Sequence, residues 1–216
     1  MDVFEALYTT RSMRRVKEDP IPEEIIKTMV DAAIRAPSGS NRQGWKFLVV
    51  TDEETRRQLG DVYRETWDYY MKEFYGGKPD LGASEVGDDK KANQVIKISK
   101  SAGWLAENFH KVPAHFLVFS RNDPTGSSIF PAIWSLMLAG RAHGIGTCLT
   151  TVMSFKQKEA FEILGVPDDK GWSLNAVVTA GYPLGKWGVA ERNPVDEVTY
   201  LNTWGCLLYT SPSPRD

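Results

Sequence analysis

Four short apolar runs, separated by segments with the periodicity of helices, constrain this chain more than any other feature. The runs are KFLVVT (46–51), AHFLVF (114–119), IGTCLTT (145–151) and LNAVVTAGY (174–182). Each is a strand's length and rich in β-branched or aromatic residues, which suits a pleated, buried surface. Between them the apolar positions fall at helical spacing. A short helix is expected over 2–9, with Val3, Phe4 and Leu7 on one side. A second is expected over 22–36, opened by Pro20 and Pro22, with Ile25, Ile26, Met29, Val30, Ala33 and Ile34 as its buried stripe. Thr51 and Glu54 have capping-box spacing for a helix reaching about residue 70. Further helices are expected over 92–110, over 129–143 with Pro131 in its first turn, and over 155–164. Strands alternating with helices, without repeat or linker, imply an α+β fold with α/β-type layering, a sheet covered by helices.

The remaining segments read as connections. YGGKPDLGASEVGDDKK (75–91) is rich in Gly, Asp and Lys and is expected to be a mobile surface loop. CLLYTSPSPRD (206–216) has no periodicity and is set apart as a disordered or artefactual tail, leaving 1–205 as one domain.

Charge and composition exclude several function classes. With 26 basic and 28 acidic residues the net charge is -2, which gives no reason to expect a nucleic-acid or membrane-surface partner. No apolar run approaches the ~18 residues that span a bilayer. The N-terminus carries Asp2 and Glu5 within an amphipathic stretch, unlike a secretory signal. Cys148 and Cys206 cannot build a disulfide framework, so a cytoplasmic location is expected. Gly140, Gly144 and Gly146 close a helix in the wrong order for a dinucleotide fingerprint. His110 and His115 are separated by Pro113 and cannot share a helix face, and His143 is remote, so no metal site is assigned.

The informative residues are cationic and amide groups at turns. Arg11-Ser12-Met13-Arg14-Arg15 sets three guanidinium groups and a hydroxyl just after the first helix. Guanidinium matches phosphate oxygens through charge-assisted hydrogen bonds of about 1.5–3 kcal/mol each. A solvated basic face is the competing reading. Between the second helix and the first strand, Ala36-Pro37-Ser38-Gly39-Ser40-Asn41-Arg42-Gln43-Gly44-Trp45 offers hydroxyls and two side-chain amides. Such a loop suits the polar edge of a planar heterocycle, and equally a polar connection. Lys186 and Arg192, after Gly181-Tyr182-Pro183, supply a second group of cations.

At these residues the chain resembles the FMN-dependent nitroreductase family. The resemblance spans about residues 2–205 and rests on four segments in the family's order: TTRSMRRVKEDPIP, AAIRAPSGSNRQGWKFLVV, SSIFPAIWSLMLAGRAHGIGTCLTT and AGYPLGKWGVAERNPVDEV. It implies a central sheet flanked by helices, an intertwined homodimer, and an FMN in each of two interfacial clefts. Arg11 and Ser12 would then bind the FMN phosphate, with Arg15 beside them, and Arg14 would reach the ribityl chain or the pyrimidine O2. Pro37, Ser38, Gly39, Asn41 and Gln43 would line the isoalloxazine. Backbone groups of Leu149, Thr150 and Thr151 would approach N5 and O4, and Lys186 and Arg192 would complete the phosphate site. Many members carry Arg where this chain has Thr10, which leaves more of the phosphate charge to Arg11; the common Gln-Pro-Trp is here Gln43-Gly44-Trp45.

The implied activity is ping-pong transfer of two electrons from NAD(P)H to a nitroaromatic, quinone or similar electron-poor acceptor. No acid or base side chain is required, so no catalytic residue is assigned beyond the flavin N5 itself. Trp67, Tyr69, Tyr70, Phe74 and Tyr75 are expected to form an aromatic cover that selects the acceptor, with core or dimer packing as the alternative. Other outcomes of the same resemblance are a flavin-dependent oxidase or dehalogenase, or a flavin-binding module without turnover.

Overall fold

The sheet that the four apolar runs build is antiparallel throughout. The computed structural model describes residues 1–77 and 89–206, with 89–91 as backbone alone. In chain order the elements are α1 (Val3–Thr9), α2 (Glu23–Ala33), β1 (Trp45–Val50), α3 (Glu53–Tyr75), α4 (Asp89–Asn108), β2 (Ala114–Ser120), α5 (Ile129–Ala142), β3 (Gly146–Thr150), α6 (Gln157–Leu164) and β4 (Ser173–Gly181). The four strands lie in the order β1-β2-β4-β3.

Both faces of the sheet are covered, which explains why β2 is apolar along nearly its whole length. Leu117 and Phe119 face one core, shared with Leu59, Tyr63, Leu105 and Phe109 from α3, α4 and the turn after it. Phe116 and Val118 face the other, shared with Met29 of α2 and Ile129, Ile133 and Leu136 of α5. In β4 a bulge keeps this alternation in step. Val118 pairs with Ala176 and Phe119 with Leu174, so Asn175 is the extra residue. Its buried Oδ1 has no hydrogen-bond partner.

Two boundaries differ from the sequence expectation for local reasons. The cap of α3 is Asp52, whose carboxylate accepts from the Thr55 N–H at 2.8 Å, and not Thr51 with Glu54. The same helix continues to Tyr75 and stops at Gly76, which takes the left-handed conformation (φ 56°) that ends helices at low cost to glycine. Phe74 and Tyr75 therefore belong to a helix. The rest of the expected 75–91 loop falls largely on residues 78–88, which lie outside the described residues, as does 207–216 of the expected tail.

The stripes of α1 and α2 are less buried than their periodicity suggests. Met29 and Ala33 are buried, whereas Ile34 is exposed. On α1, Val3 and Phe4 are about three-fifths exposed (60% and 62%). Among the described residues no helix is long and apolar enough to cross a membrane.

Candidate functional site

The cationic segment after α1 is stitched to the end of the sheet. Residue Thr10 leaves the helix in extended conformation, and the chain then runs between β3 and the residues following β4. Met13 N–H donates to Thr147 O at 2.8 Å, Leu184 N–H to Arg15 O at 3.0 Å, and Lys17 N–H to Tyr182 O at 2.8 Å. Met13 and Val16 point inward and are buried, leaving Arg11, Ser12 and Arg15 exposed and Arg14 half-buried. Two glycines permit this approach. A Cβ on Gly146 would stand 2.8 Å from that of Met13, and one on Gly181 would stand 2.7 Å from Cγ2 of Val16. The segment also meets the second group of cations, because Arg11 Nη2 donates to the Lys186 carbonyl at 3.3 Å. Arg192 instead makes a local bond, to the Glu191 carbonyl at 2.9 Å.

Two adjoining cavities open beside this segment, and Arg14 borders both. One, about 400 Å³, is walled by Ser12, Met13, Arg15, Ser101, Leu184 and Gly185. Over it Arg15 is braced by Trp104 of α4, with the guanidinium carbon 5.4 Å from the ring centroid. The other, about 310 Å³, has the end of β3 as its floor: Cys148, Leu149, Thr150, Thr151 and Val152. Its walls are Tyr63, Trp67, Tyr70 and Tyr75 from α3, facing Val95, Ile98, Ser99 and Ala102 from α4. A cavity bordered by Arg14 and Arg15 and a mostly apolar cavity thus meet at one guanidinium. These residues fit an elongated ligand with a phosphate at one end and an aromatic ring system at the other.

Of the expected aromatic cover, Trp67, Tyr70 and Tyr75 line the cavity. Phe74 does not. It is 57% exposed and packs outside, 5.2 Å from the Tyr70 ring and 5.6 Å from that of Phe155. Tyr69 likewise turns toward Phe155. The sequence reading missed Tyr63, although 63, 67 and 70 share the i, i+4, i+7 spacing of one helical face. The Tyr63 hydroxyl lies 3.0 Å from Thr150 Oγ1, and burial pushes its pKa up to about 12, so it is a neutral hydroxyl at any ordinary pH. Thr150 Oγ1 also accepts from Val152 N–H at 3.3 Å, which fixes the cavity floor.

Cys148 was likewise not anticipated. Burial raises its thiol pKa, while the Arg14 guanidinium and hydrogen bonding from Ser12 and Arg14 act in the opposite direction. The group is a protonated thiol packed beneath the cationic segment rather than a nucleophile. His115 is a core residue: Nε2 lies 3.0 Å from the Phe109 carbonyl and the ring stacks on Phe109 at 4.1 Å. No cluster of potential metal ligands occurs among the described residues.

The amide loop stands apart within the single chain. Ser38 and Gly39 line a different cavity, about 280 Å³, with Ser120, Arg121, Asp123, Ser127 and Ser128 among its other walls. Ser40, Asn41 and Gln43 all have positive φ (52°, 52° and 48°), a conformation that costs non-glycine residues energy and is concentrated at functional sites. Ser38 Oγ accepts from Gln43 N–H at 3.0 Å, and Gln43 Nε2 donates to Asn41 Oδ1 at 3.1 Å. Pro37, Asn41 and Gln43 are exposed.

Sheet, cationic segment and adjoining cavities together define an α+β protein with helices on both sheet faces and a cleft bordered by Arg14. The chain belongs to the nitroreductase family: residues 7–182 match the model of the "Nitroreductase family". It is similar in sequence to an NADH dehydrogenase of Thermus thermophilus, 25% identical, over 92% of this chain and 95% of that protein. It is also similar to the iodotyrosine deiodinase of Thermotoga neapolitana, 26% identical, over 80% of this chain and 84% of the relative. In structure it is similar to the FMN-dependent nitroreductase NfnB of Mycobacterium smegmatis, solved in complex with NADPH. That match has a TM-score of 0.67 and 22% identity, and covers 93% of this chain and 97% of the other.

Proposed function

We propose that the chain is an FMN-dependent oxidoreductase that takes two electrons from NAD(P)H and passes them, by ping-pong exchange, to a nitroaromatic, quinone or similar electron-poor acceptor. The observation that carries this reading is the position of Arg14, shared between a cavity it borders with Arg15 and an aromatic-walled one. Bound there, FMN would supply the hydride and electron transfer that no side chain of the site can perform. Arg11, Ser12 and Arg15, with Lys186, would hold the phosphate through charge-assisted hydrogen bonds. Arg14 would stand near the ring's polar end, where a fixed cation stabilises negative charge as it develops. The backbone of Leu149–Thr151, anchored by the Tyr63–Thr150 hydrogen bond, would orient the ring edge. Trp67, Tyr70 and Tyr75 would exclude water above it.

Pro37, Ser38, Gly39, Asn41 and Gln43 would complete the ring site from a second copy, making the working unit a homodimer with two clefts. The support is geometric: in one chain this strained loop shares no lining residue with the Arg14 cavities. Two free thiols agree with a reducing cytoplasm. A second reading keeps the cofactor and changes the acceptor to a halogenated aromatic, and its support is the similarity to the Thermotoga deiodinase.

The test begins with the purified protein's absorbance near 450 nm. Replacing Arg11, Ser12 and Arg14 together by Ala removes two or three charge-assisted bonds, so FMN should bind ~10²–10⁴-fold more weakly. Stoichiometric FMN retained by the triple variant would overturn the site. Anaerobic bleaching by NADH or NADPH, followed by quinone, nitroaromatic and iodotyrosine acceptors, separates the two reactions.

A further inference from the structure

We infer that Arg141, in the last turn of α5, is a positioning residue that holds together the two limbs of the proposed phosphate site. The inference rests on the FMN reading above. Arg141 is 8% exposed, and it reaches both limbs from behind. Its Nε donates to Thr9 Oγ1 at 2.9 Å. Its guanidinium carbon lies 4.1 Å from the ring centroid of Trp187. Thr9 ends α1 two residues before Arg11, and Trp187 directly follows Lys186. These are the limbs that meet where Arg11 donates to the Lys186 carbonyl at 3.3 Å.

Packing alone does not call for a cation in this place. A buried guanidinium loses hydration, and its ion pair with Glu5 is long, at 3.8 Å. An apolar side chain of similar length would fill the space without that cost. What the guanidinium adds is direction: an N–H edge that registers α1, and a flat face that seats the indole of Trp187. Its position in the last helical turn offsets part of the burial cost through the helix dipole.

Because the limbs hold the phosphate end, losing Arg141 should cost affinity for the phosphate and not for the ring. The full-length chain, freed of flavin, is titrated with FMN and with riboflavin, which has the same ring and no phosphate. Arg141→Met should weaken FMN about tenfold or more and riboflavin less than about threefold, and Arg141→Lys should recover part of the difference. Thr9→Val and Trp187→Leu each remove one of the two Arg141 contacts, and each should reduce the FMN-over-riboflavin preference in a chain that retains Arg141. An unchanged preference in the Met variant overturns the inference. So does a parallel loss of both flavins together with a lowered melting temperature, since that marks general packing. If the wild-type chain itself binds FMN no better than riboflavin, the phosphate site fails, a result distinct from failure at Arg141 alone.

Discussion

At the scale of single residues, the electrostatics of this protein are decided by what burial forbids. His115 is fully buried, its Nε2 committed to the Phe109 carbonyl and its Nδ1 without a partner. Burial lowers its pKa from 6.5 to about 3. The unfolded chain therefore takes up a proton near pH 6.5 that the folded chain refuses until about pH 3. The stability contributed by the neutral ring is complete above pH 6.5 and is lost progressively as pH falls through that window. The total is on the order of 5 kcal/mol. His115→Phe keeps the stacked ring and removes the titration. Its melting temperature should fall less steeply than that of the wild type between pH 7 and pH 4, in roughly that range of effect. Parallel curves for the two proteins would rule the explanation out. Tyr63 shows the same rule from the acid side: its hydroxyl is kept protonated by burial and lies 3.0 Å from Thr150 Oγ1.

Among the elements, α3 and α4 form the walls that should choose the acceptor. Trp67, Tyr70 and Tyr75 face the cavity while Phe74 faces Phe155, so the helical faces sort neighbouring aromatics into different jobs. Trp67→Ala and Tyr75→Ala should each shift relative kcat/KM among quinone and nitroaromatic acceptors by about tenfold, the loss of one aromatic contact of ~1–1.5 kcal/mol. FMN content should stay nearly constant, and Phe74→Ala should change selectivity less than either. Equal effects of Phe74→Ala and Tyr75→Ala would dismiss this division. The strand runs and most helix boundaries were legible in the sequence because period and turn residues are local properties. The final turn of α3 was not, since Phe74 is held by Phe155 from a segment far along the chain. The cap was ambiguous for a simpler reason: Thr51/Glu54 and Asp52/Thr55 have the same spacing, and the structure places the cap at Asp52. Arg11 and Lys186 could be singled out as cations at turns, but that their segments meet depends on Gly146 and Gly181 allowing close approach. Tyr63 and Arg141 were overlooked because each acts through partners distant in sequence.

For the molecule as a whole, several segments leave large apolar side chains exposed. Val3, Phe4, Leu7 and Tyr8 on α1, Phe130 and Trp134 on α5, and Val189, Val195, Val198 and Trp204 beyond β4 are all exposed. The Arg14 cavities and the Asn41 loop are separate within one chain. The homodimer proposed above, with each cleft drawing its cations from one protomer and its amides from the other, would account for both. That arrangement has an arithmetical signature. A chain carrying Arg14→Ala damages the cationic half of its clefts, and a chain carrying Asn41→Ala together with Gln43→Ala damages the amide half. Each variant alone pairs into dimers with two impaired sites. Unfolded together and refolded in equal amounts, random pairing makes about half the dimers mixed, and each mixed dimer has one undamaged cleft beside one doubly damaged. About one quarter of all sites should therefore regain tight FMN binding, read as flavin retained through gel filtration. Clefts built within single chains would regain none, because every chain in the mixture carries a lesion in its own site.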